Sequence, residues 1–303
     1  MTLQAPDGRW QMAGLFLAAV ATVSAQTLAM KFDSNRAWEH LRQLVAIGPR
    51  PAGTPAIEQA RKYLKDQLTA EGLALAEQIW DDQTPIGKLR MVNLTATIPG
   101  ARKDRIVVAG HYDTKRFSAF RFVGASDGAS SAAFLVEIAR VLKARKNPLT
   151  IELLFLDGEE AVIDWQGTDH TYGSRHYVEV AKREGSLATL KALILIDMIG
   201  DRDLQIRRDT NSTPWLTDAI WDAARRQRLD DHFVSATSAI EDDHLPFLEA
   251  GVPSVDIIDL DYAAWHTAKD NLDAVSARSL QIVGDVVLAA LPQIEARLMR
   301  TSR

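Results

Sequence analysis

Apolar residues in this chain form short continuous runs, and the segments between them carry apolar residues at helical spacing. Two amphipathic helices are predicted near the start. The first begins at Ser34, its predicted N-cap. The second follows the Pro- and Gly-rich segment 48–55 and places Ile57, Leu64 and Leu68 on one face. Each helix has one apolar face, so both are expected to pack against a larger core.

Beyond residue 90, predicted strands and helices alternate. The strands are predicted at residues 91–98, 105–109, 149–156, 190–196 and 254–260, and the helices at 129–145, 172–184, 214–227 and 277–298. Continuous apolar strands between helices are typical of strands buried on both faces. We therefore predict a single α/β domain over residues 34–300, with a mixed, mainly parallel central β-sheet and helices on both of its faces.

The first 25 residues differ from the rest of the chain. An apolar core at residues 12–21 precedes Val23-Ser24-Ala25, which fits a signal-peptidase site. We expect residues 1–25 to be an export signal. Because Asp7 weakens the basic region before the apolar core, an uncleaved anchor stays open, as does an ordinary buried helix. Export of a chain without cysteine indicates a bacterial periplasmic or secreted protein.

Composition excludes several classes of function. The chain is 47% hydrophobic and 25% charged, as in ordinary globular proteins, and its net charge of -5 argues against nucleic-acid binding. It has no cysteine, which excludes a thiol nucleophile and a cysteine-based zinc site. Any metal must be bound by His, Asp and Glu. The acidic balance and the lack of an apolar stripe favour a monomer without a stable membrane partner.

Potential ligands follow the predicted strands. Ligands of such sheets bind at the carboxyl ends of the strands. The residues at these positions are His111, Glu159, Glu160, Asp197 and His266. Asp127 lies at the start of the predicted helix between the strands at 105–109 and 149–156. Each has an ordinary alternative on its own: Asp127 as a helix cap, His111 and Asp197 as hydrogen-bonded strand ends, His266 as a half-buried histidine. Together, at one edge of one sheet, they predict a metal site.

Zinc suits this set of residues because it accepts imidazole nitrogen and carboxylate oxygen in open catalytic sites. The candidate ligands are His111, Asp127, Glu160, Asp197 and His266. Glu159 is then free to act as a general acid/base next to the metal.

The segments that carry these residues resemble the zinc-dependent exopeptidases with co-catalytic metal ions. They resemble more closely the glutaminyl-peptide cyclotransferases, or glutaminyl cyclases, which share that fold. The similarity runs from about Trp38 to the last helix. The narrower cyclase signals lie at residues 111–117, 122–127, 157–165, 172–176, 197–200, 241–247 and 265–267.

The resemblance implies a set of roles. One zinc ion per chain would be bound by Asp127, Glu160 and His266, with Glu159 as the acid/base. Asp197 and Asp242 would form a hydrogen-bonded carboxylate network with Glu159. Such a pair would share a proton, which makes it a poor ligand for a second metal. Trp165 and Trp265, otherwise ordinary core aromatics, would line the pocket.

The predicted function is the conversion of an N-terminal glutamine of peptides or proteins to pyroglutamate, with release of ammonia. The chain departs from the family in three places. It lacks the disulfide of the animal enzymes, its segment 259–264 differs, and Glu241 stands where glutamine is frequent. Glu241 would line the substrate site and add a negative charge near the substrate amine.

The main alternative is an aminopeptidase with two zinc ions, in which His111 and Asp197 bind the second ion and Asp127 bridges. Trp165, Asp242 and Trp265 favour the cyclase, because a peptidase needs none of them. A catalytically inactive relative used for binding is a third possibility. It is disfavoured because Glu159 and all of the candidate ligands are present.

Overall fold

A mixed central β-sheet positions the candidate site residues. The computed structural model describes residues 1–2 and 31–301. The strands are β1 (Ala74–Thr84), β2 (Gly87–Ile98), β3 (Arg102–His111), β4 (Leu149–Leu156), β5 (Leu190–Asp197), β6 (Ile206–Asp209), β7 (Phe233–Ser238) and β8 (Ser254–Ile258). The helices are α1 (Ser34–Ile47), α2 (Pro55–Ala70), α3 (Ala129–Ala144), α4 (Tyr172–Glu184), α5 (Pro214–Arg226), α6 (Leu245–Glu249) and α7 (Ala277–Thr301), with a 3-10 turn at Ser186–Thr189.

The strand order is β1-β2-β4-β3-β5-β8. β4, β3, β5 and β8 run parallel to their neighbours in this group, while β2 is antiparallel to both β1 and β4. β6 and β7 form a separate parallel pair. The predicted fold class, a mixed and mainly parallel sheet in one α/β domain, is confirmed.

Different helices cover the two faces of the sheet. Side chains alternate along β3, because successive residues of a strand point to opposite faces. Ile106 and Val108 pack into a core built with α1, α2, α3, α5 and α7, whereas Val107 and Ala109 pack with α4 and α6. These strand residues are fully buried. Burial on both faces explains why the strands are continuous apolar runs rather than alternating ones.

One local prediction is wrong, and one long strand was not predicted. The N-cap of α1 is Asp33 rather than Ser34, because the Asp33 carboxylate accepts hydrogen bonds from the backbone N–H groups of Asn35 and Arg36 at 2.9 and 3.4 Å. Strand β1 was not expected either. It is an edge strand rich in exposed polar residues, and it gains its backbone hydrogen bonds from β2 across a tight turn.

The predicted signal or anchor lies outside the described residues, apart from its first two positions. Within the part of the chain that the structure describes, no helix has the length and apolarity that a bilayer span requires.

Candidate active site

The carboxyl edge of the sheet brings together the side chains expected to converge. His111 and Asp197 are the last residues of β3 and β5, and Glu159 and Glu160 follow β4. Because β4, β3, β5 and β8 are neighbours, their ends meet on one side of the sheet. These four side chains are buried. Asp127 precedes α3, and His266 lies in the loop after β8, so both reach the same edge from connecting segments.

The first cluster contains Asp127, Glu160 and His266. His266 Nε2 lies 3.4 Å from Asp127 Oδ2 and 3.4 Å from Glu160 Oε2. Ligand atoms bonded to a tetrahedral zinc at about 2.0–2.1 Å are about 3.3–3.4 Å apart, so these spacings fit a metal ion. Asp127 Oδ2 is buried and has no hydrogen-bond partner. A cation between these atoms would satisfy it.

The charges of this cluster reinforce one another. Burial alone would lower the pKa of His266, but the Asp127 and Glu160 carboxylates raise it to about 9. Burial and the charge of Asp127 raise the pKa of Glu160 to about 7. The protein without metal therefore compensates buried carboxylates with an imidazolium, which a bound metal would replace.

A second cluster shares Asp127. His111 Nε2 lies 3.0 Å from Asp197 Oδ1 and 3.3 Å from Asp127 Oδ1. Burial alone would lower the pKa of His111, but the charge of Asp197 and hydrogen bonds with Asp113, Asp127 and Asp197 raise it well above its usual value. His111, Asp127 and Asp197 are close enough to bind a metal as well. The geometry thus keeps the two-metal alternative open.

The alternative role of Asp127 as a helix cap is not found. α3 begins after Gly128, and its start has no side-chain cap. Instead, the backbone around Asp127 is itself held, because Asp270 accepts hydrogen bonds from the N–H groups of Ser126 and Asp127 at 2.8 and 3.2 Å. The Asp127 side chain is thereby left free to face the two histidines.

Glu159 is buried beside the first cluster. Its N–H and that of Glu160 donate to the two carboxylate oxygens of Asp113, at 3.2 and 3.3 Å. The turn needs Gly158, whose φ is +68° and where a Cβ would lie 2.8 Å from Met91 Sδ. Burial raises the pKa of Glu159 well above its usual value, and nearby carboxylates add to this effect against the opposing charge of His111. A carboxyl group in this environment can carry a proton near neutral pH.

The expected hydrogen-bonded network of Glu159, Asp197 and Asp242 takes a different form. Among the described contacts, none of these side chains is hydrogen-bonded to another, and Asp242 Oδ2 is buried without a partner. Two ionised carboxylates are both acceptors, so a bond between them requires a proton on one. Their coupling is electrostatic: burial first, then the charges of Asp197 and Asp243, raise the pKa of Asp242 well above its usual value.

These groups open into a cavity of about 310 Å³. Its lining includes Glu159, Asp197, Glu241, Asp242, Trp165, Trp265, Ile240, Ile258 and Leu260 together with the first cluster. Trp265 is 43% exposed and stacks on His266 with ring centres 4.5 Å apart. Trp165 stacks on His170 at 4.1 Å. Both tryptophans are therefore pocket residues and not core aromatics.

Three residues of the site were not identified as functional from the sequence. Arg50 is fully buried, and its guanidinium donates to the carbonyls of Tyr112, Val123 and Gly124 at 2.6–3.1 Å. It thereby ties together the loops that carry Asp113 and Asp127. Phe117 and Phe122 meet the His266 ring edge-on at 5.6 and 5.8 Å. Only the motifs around the two phenylalanines gave a signal, and it did not specify this role.

The fold and the two carboxylate–histidine clusters at its carboxyl edge define a class, the metal-dependent enzymes with an exopeptidase-like α/β fold. The sequence model of Peptidase family M28 matches residues 93–291. The chain belongs to this family and, within it, to the glutaminyl-peptide cyclotransferases, as the following similarities show.

The chain is 30% identical to a glutaminyl-peptide cyclotransferase of Drosophila melanogaster, over 78% of this chain and 75% of that protein. It is 31% identical to a glutaminyl-peptide cyclotransferase-like protein of Mus musculus, over 86% and 76% of the two chains. The crystal structure of a glutaminyl cyclase from an Acidobacteriales bacterium superimposes with a TM-score of 0.86 at 40% identity, covering 90% of this chain and 98% of that one. The resemblance noted from the sequence is confirmed.

Proposed function

We propose that this protein is a glutaminyl-peptide cyclotransferase that converts the N-terminal glutamine of peptides or proteins to pyroglutamate and releases ammonia. The single observation that carries the proposal is the placement of buried Glu159 in one cavity with the Asp127–Glu160–His266 cluster and two tryptophans. The names of its relatives support the same activity. A peptidase of this fold has no need of Trp165, Trp265 or Asp242 in that cavity.

We propose further that Asp127, Glu160 and His266 bind one zinc ion per chain. His266 Nε2 lies 3.4 Å from an oxygen of each carboxylate, a spacing that fits tetrahedral zinc, and Asp127 Oδ2 is buried without a hydrogen-bond partner. When bound, zinc would supply Lewis-acid polarisation of the side-chain amide carbonyl of the substrate glutamine.

Glu159 moves the proton in this proposal. The substrate α-amine nitrogen forms a bond to the side-chain carbonyl carbon, and the bond from that carbon to the amide nitrogen breaks. Glu159 accepts the proton that the attacking amine loses and returns it to the departing nitrogen, which leaves as ammonia. Atoms balance without water. The raised pKa of Glu159 suits both halves of this transfer.

The remaining residues act on position and charge. Both reacting groups belong to one substrate residue, so the pocket has to hold that residue in its folded conformation. Trp165 and Trp265 provide flat walls for it. Burial first, and then the charges of Glu160, Asp242 and Asp243, raise the pKa of Glu159, and Asp197 has the same effect on Asp242. Glu241 lies at the exposed rim, where its charge attracts the substrate amine.

The two-zinc aminopeptidase is the second candidate, because His111, Asp127 and Asp197 also lie within reach of one ion. One assay separates the two activities. The purified protein is incubated with a peptide that begins with glutamine, and ammonia and peptide mass are followed. Release of ammonia with the peptide chain intact is the expected result. Release of free glutamine, with a shortened peptide, would establish the peptidase instead. A matched peptide with an acetylated N-terminus should not react in the cyclase, because its α-nitrogen is no longer a nucleophile.

Two further statements stay predictions. An exported location rests on the apolar segment at residues 12–21 and the cleavage pattern after it. A monomeric state rests on the acidic balance and the scattered exposed apolar side chains.

A further inference from the structure

Four pocket residues are carried by one short connection. Residues 239–244 link β7 to α6, and within them Ala239, Ile240, Glu241 and Asp242 line the cavity. A segment without regular secondary structure has no ladder of backbone hydrogen bonds to fix it. Its conformation must therefore be set by side chains from elsewhere.

Asp209, the last residue of β6, contacts both ends of this loop. Its Oδ1 accepts a hydrogen bond from the N–H of Ile240 at 3.1 Å, and its Oδ2 lies 3.1 Å from Nε2 of His244. The second contact is a close polar contact without the alignment of a good hydrogen bond. Asp209 and His244 are both buried, so neither contact is weakened by solvent.

The Asp209 carboxylate is itself fixed. It accepts hydrogen bonds from the N–H of Asn211 at 3.1 Å and from both the N–H and the hydroxyl of Ser212 at 2.7 Å. The Asn211 side chain donates to the carbonyl of Ile240 at 2.8 Å, so both backbone polar groups of Ile240 are held. Although burial alone would raise the pKa of Asp209, His244 and Ser212 lower it below its usual value. The residue is therefore an ionised, multiply bonded anchor.

Two other elements complete the support. Ser174 of α4 donates its hydroxyl to Asp243, the residue after Asp242. Asp256 of β8 donates its N–H to the Ser212 hydroxyl at 2.9 Å, and its carboxylate lies 3.8 Å from His244 Nδ1. The loop is thus linked to the sheet and to a helix, and Asp209 is the only one of these residues that contacts both of its ends among the described contacts.

We propose that Asp209 is a positioning residue for the reaction: through Ile240 and His244 it holds the loop that presents Glu241 and Asp242 to the substrate. The proposal rests on the proposed function. It assigns Asp209 no contact with substrate or metal, and Asp209 does not line the cavity. Its loss should change substrate binding and turnover while the metal ligands keep their places.

The test compares Asp209→Asn with Glu137→Gln. Asparagine keeps the shape, but its amide group cannot accept from all of the donors around Asp209. Glu137 of α3 is a matched control: it is equally buried, accepts the N–H of Asp33 at 2.9 Å, pairs with Arg36 and lies away from the cavity. Hydrogen exchange of residues 240–243, KM and kcat for a glutamine peptide, and metal content are measured for both variants and the wild type.

In Asp209→Asn we expect exchange in this loop to be at least about tenfold faster, KM to rise about tenfold and metal content to stay unchanged. Glu137→Gln should match the wild type in all three. Unchanged exchange in Asp209→Asn, or faster exchange with wild-type kcat and KM, would overturn the proposal. Should Asp209→Asn fail to fold, His244→Asn, which removes one end of the same contact, must show the same pattern.

The experiment separates a failure of the proposed function from a failure of the positioning role of Asp209. If the wild type forms no pyroglutamate, the cyclase assignment falls. Calorimetric binding of the same glutamine peptide then replaces KM, and equal affinity of the wild type and Asp209→Asn would overturn the positioning role.

Discussion

At the scale of single residues, Glu159 is the residue proposed to accept and return the proton in the reaction. It is buried next to the Asp127–Glu160–His266 cluster, and its backbone N–H donates to the Asp113 carboxylate. An isosteric amide cannot accept and return a proton. For Glu159→Gln we expect kcat to fall by about 10²–10⁴-fold, with KM little changed and metal content equal to that of the wild type.

The control for this substitution is Glu152→Gln. Glu152 is also a buried glutamate of the β4 region, but it pairs with Arg105 and lies outside the cavity. Its substitution should leave kcat unchanged. Loss of metal from Glu159→Gln would show that Glu159 is a ligand and would contradict the role proposed for it.

The sequence could predict some residues of the site but not others. Glu159, Glu160 and Asp197 stand directly after apolar strands, where a polar side chain has few structural reasons to be. Arg50 could not be found in this way. Its partners are backbone carbonyls more than 60 positions away along the chain, and backbone groups leave no residue-type signal in the sequence.

At the scale of elements, the end of β8 contains a titrating group outside the cavity. Asp259 follows β8 and is 1% exposed, and it accepts the N–H of Gln205 at 2.8 Å. Burial, with a smaller contribution from the charge of Asp201, raises its pKa from 3.8 to about 7. The folded protein therefore binds a proton here that the unfolded chain has lost.

This pKa shift makes a contribution to stability that depends on pH. Because the folded-state pKa of Asp259 exceeds the unfolded one, stability falls as pH rises from about 4 to about 7 and is then level. Asparagine imitates the protonated form at every pH. Relative to the wild type, we expect Asp259→Asn to gain about 1–4 kcal/mol in the free energy of unfolding between pH 4 and pH 8. A difference that does not vary with pH, measured by denaturant titration, would contradict the shifted pKa.

The long buried elements were predictable and the exposed ones were not. Strand β4 and helix α4 have the bounds that the apolar pattern gave, 149–156 and 172–184. Burial selects apolar residues in both, which gives β4 a continuous apolar run and α4 buried residues along one face. Strands β1, β6 and β7 are short or carry many polar residues. Pairing with a neighbouring strand defines them, and a single sequence does not show that neighbour.

At the scale of the whole molecule, metal binding should be linked to stability. The first cluster brings two buried carboxylates to one histidine, and the second adds two more groups around Asp127. A metal that binds only the folded protein stabilises it by about 2.7 kcal/mol when its free concentration is 100 times Kd. Removal by a chelator should therefore abolish ammonia release and lower the unfolding temperature.

The stoichiometry of recovery tests the number of ions. One equivalent of zinc per chain should restore both activity and unfolding temperature, and His111→Ala should still bind that equivalent. Recovery that requires two equivalents would favour the two-zinc alternative.

The order of strands in the sheet explains why distant residues of the chain form one site. His111, Glu160, Asp197 and His266 are spread over more than 150 positions, and the parallel strands β4, β3, β5 and β8 bring them to one edge. The sequence indicated this convergence, because each residue followed an apolar run. The support given by Asp209, which lies in a separate strand pair, depends on how that pair packs beside β8 and could not be foreseen.

The central claim is that the substrate amine, and not water, is the nucleophile. The most direct measurement is the reaction of the zinc-loaded protein with a peptide that begins with glutamine, in water enriched in ¹⁸O, followed by mass spectrometry. We expect a pyroglutamyl peptide of full chain length, one ammonia for each molecule formed and no ¹⁸O in the product. Free glutamine with ¹⁸O in its carboxylate, or a full-length peptide with ¹⁸O in a new glutamate side chain, would show hydrolysis and contradict the assignment.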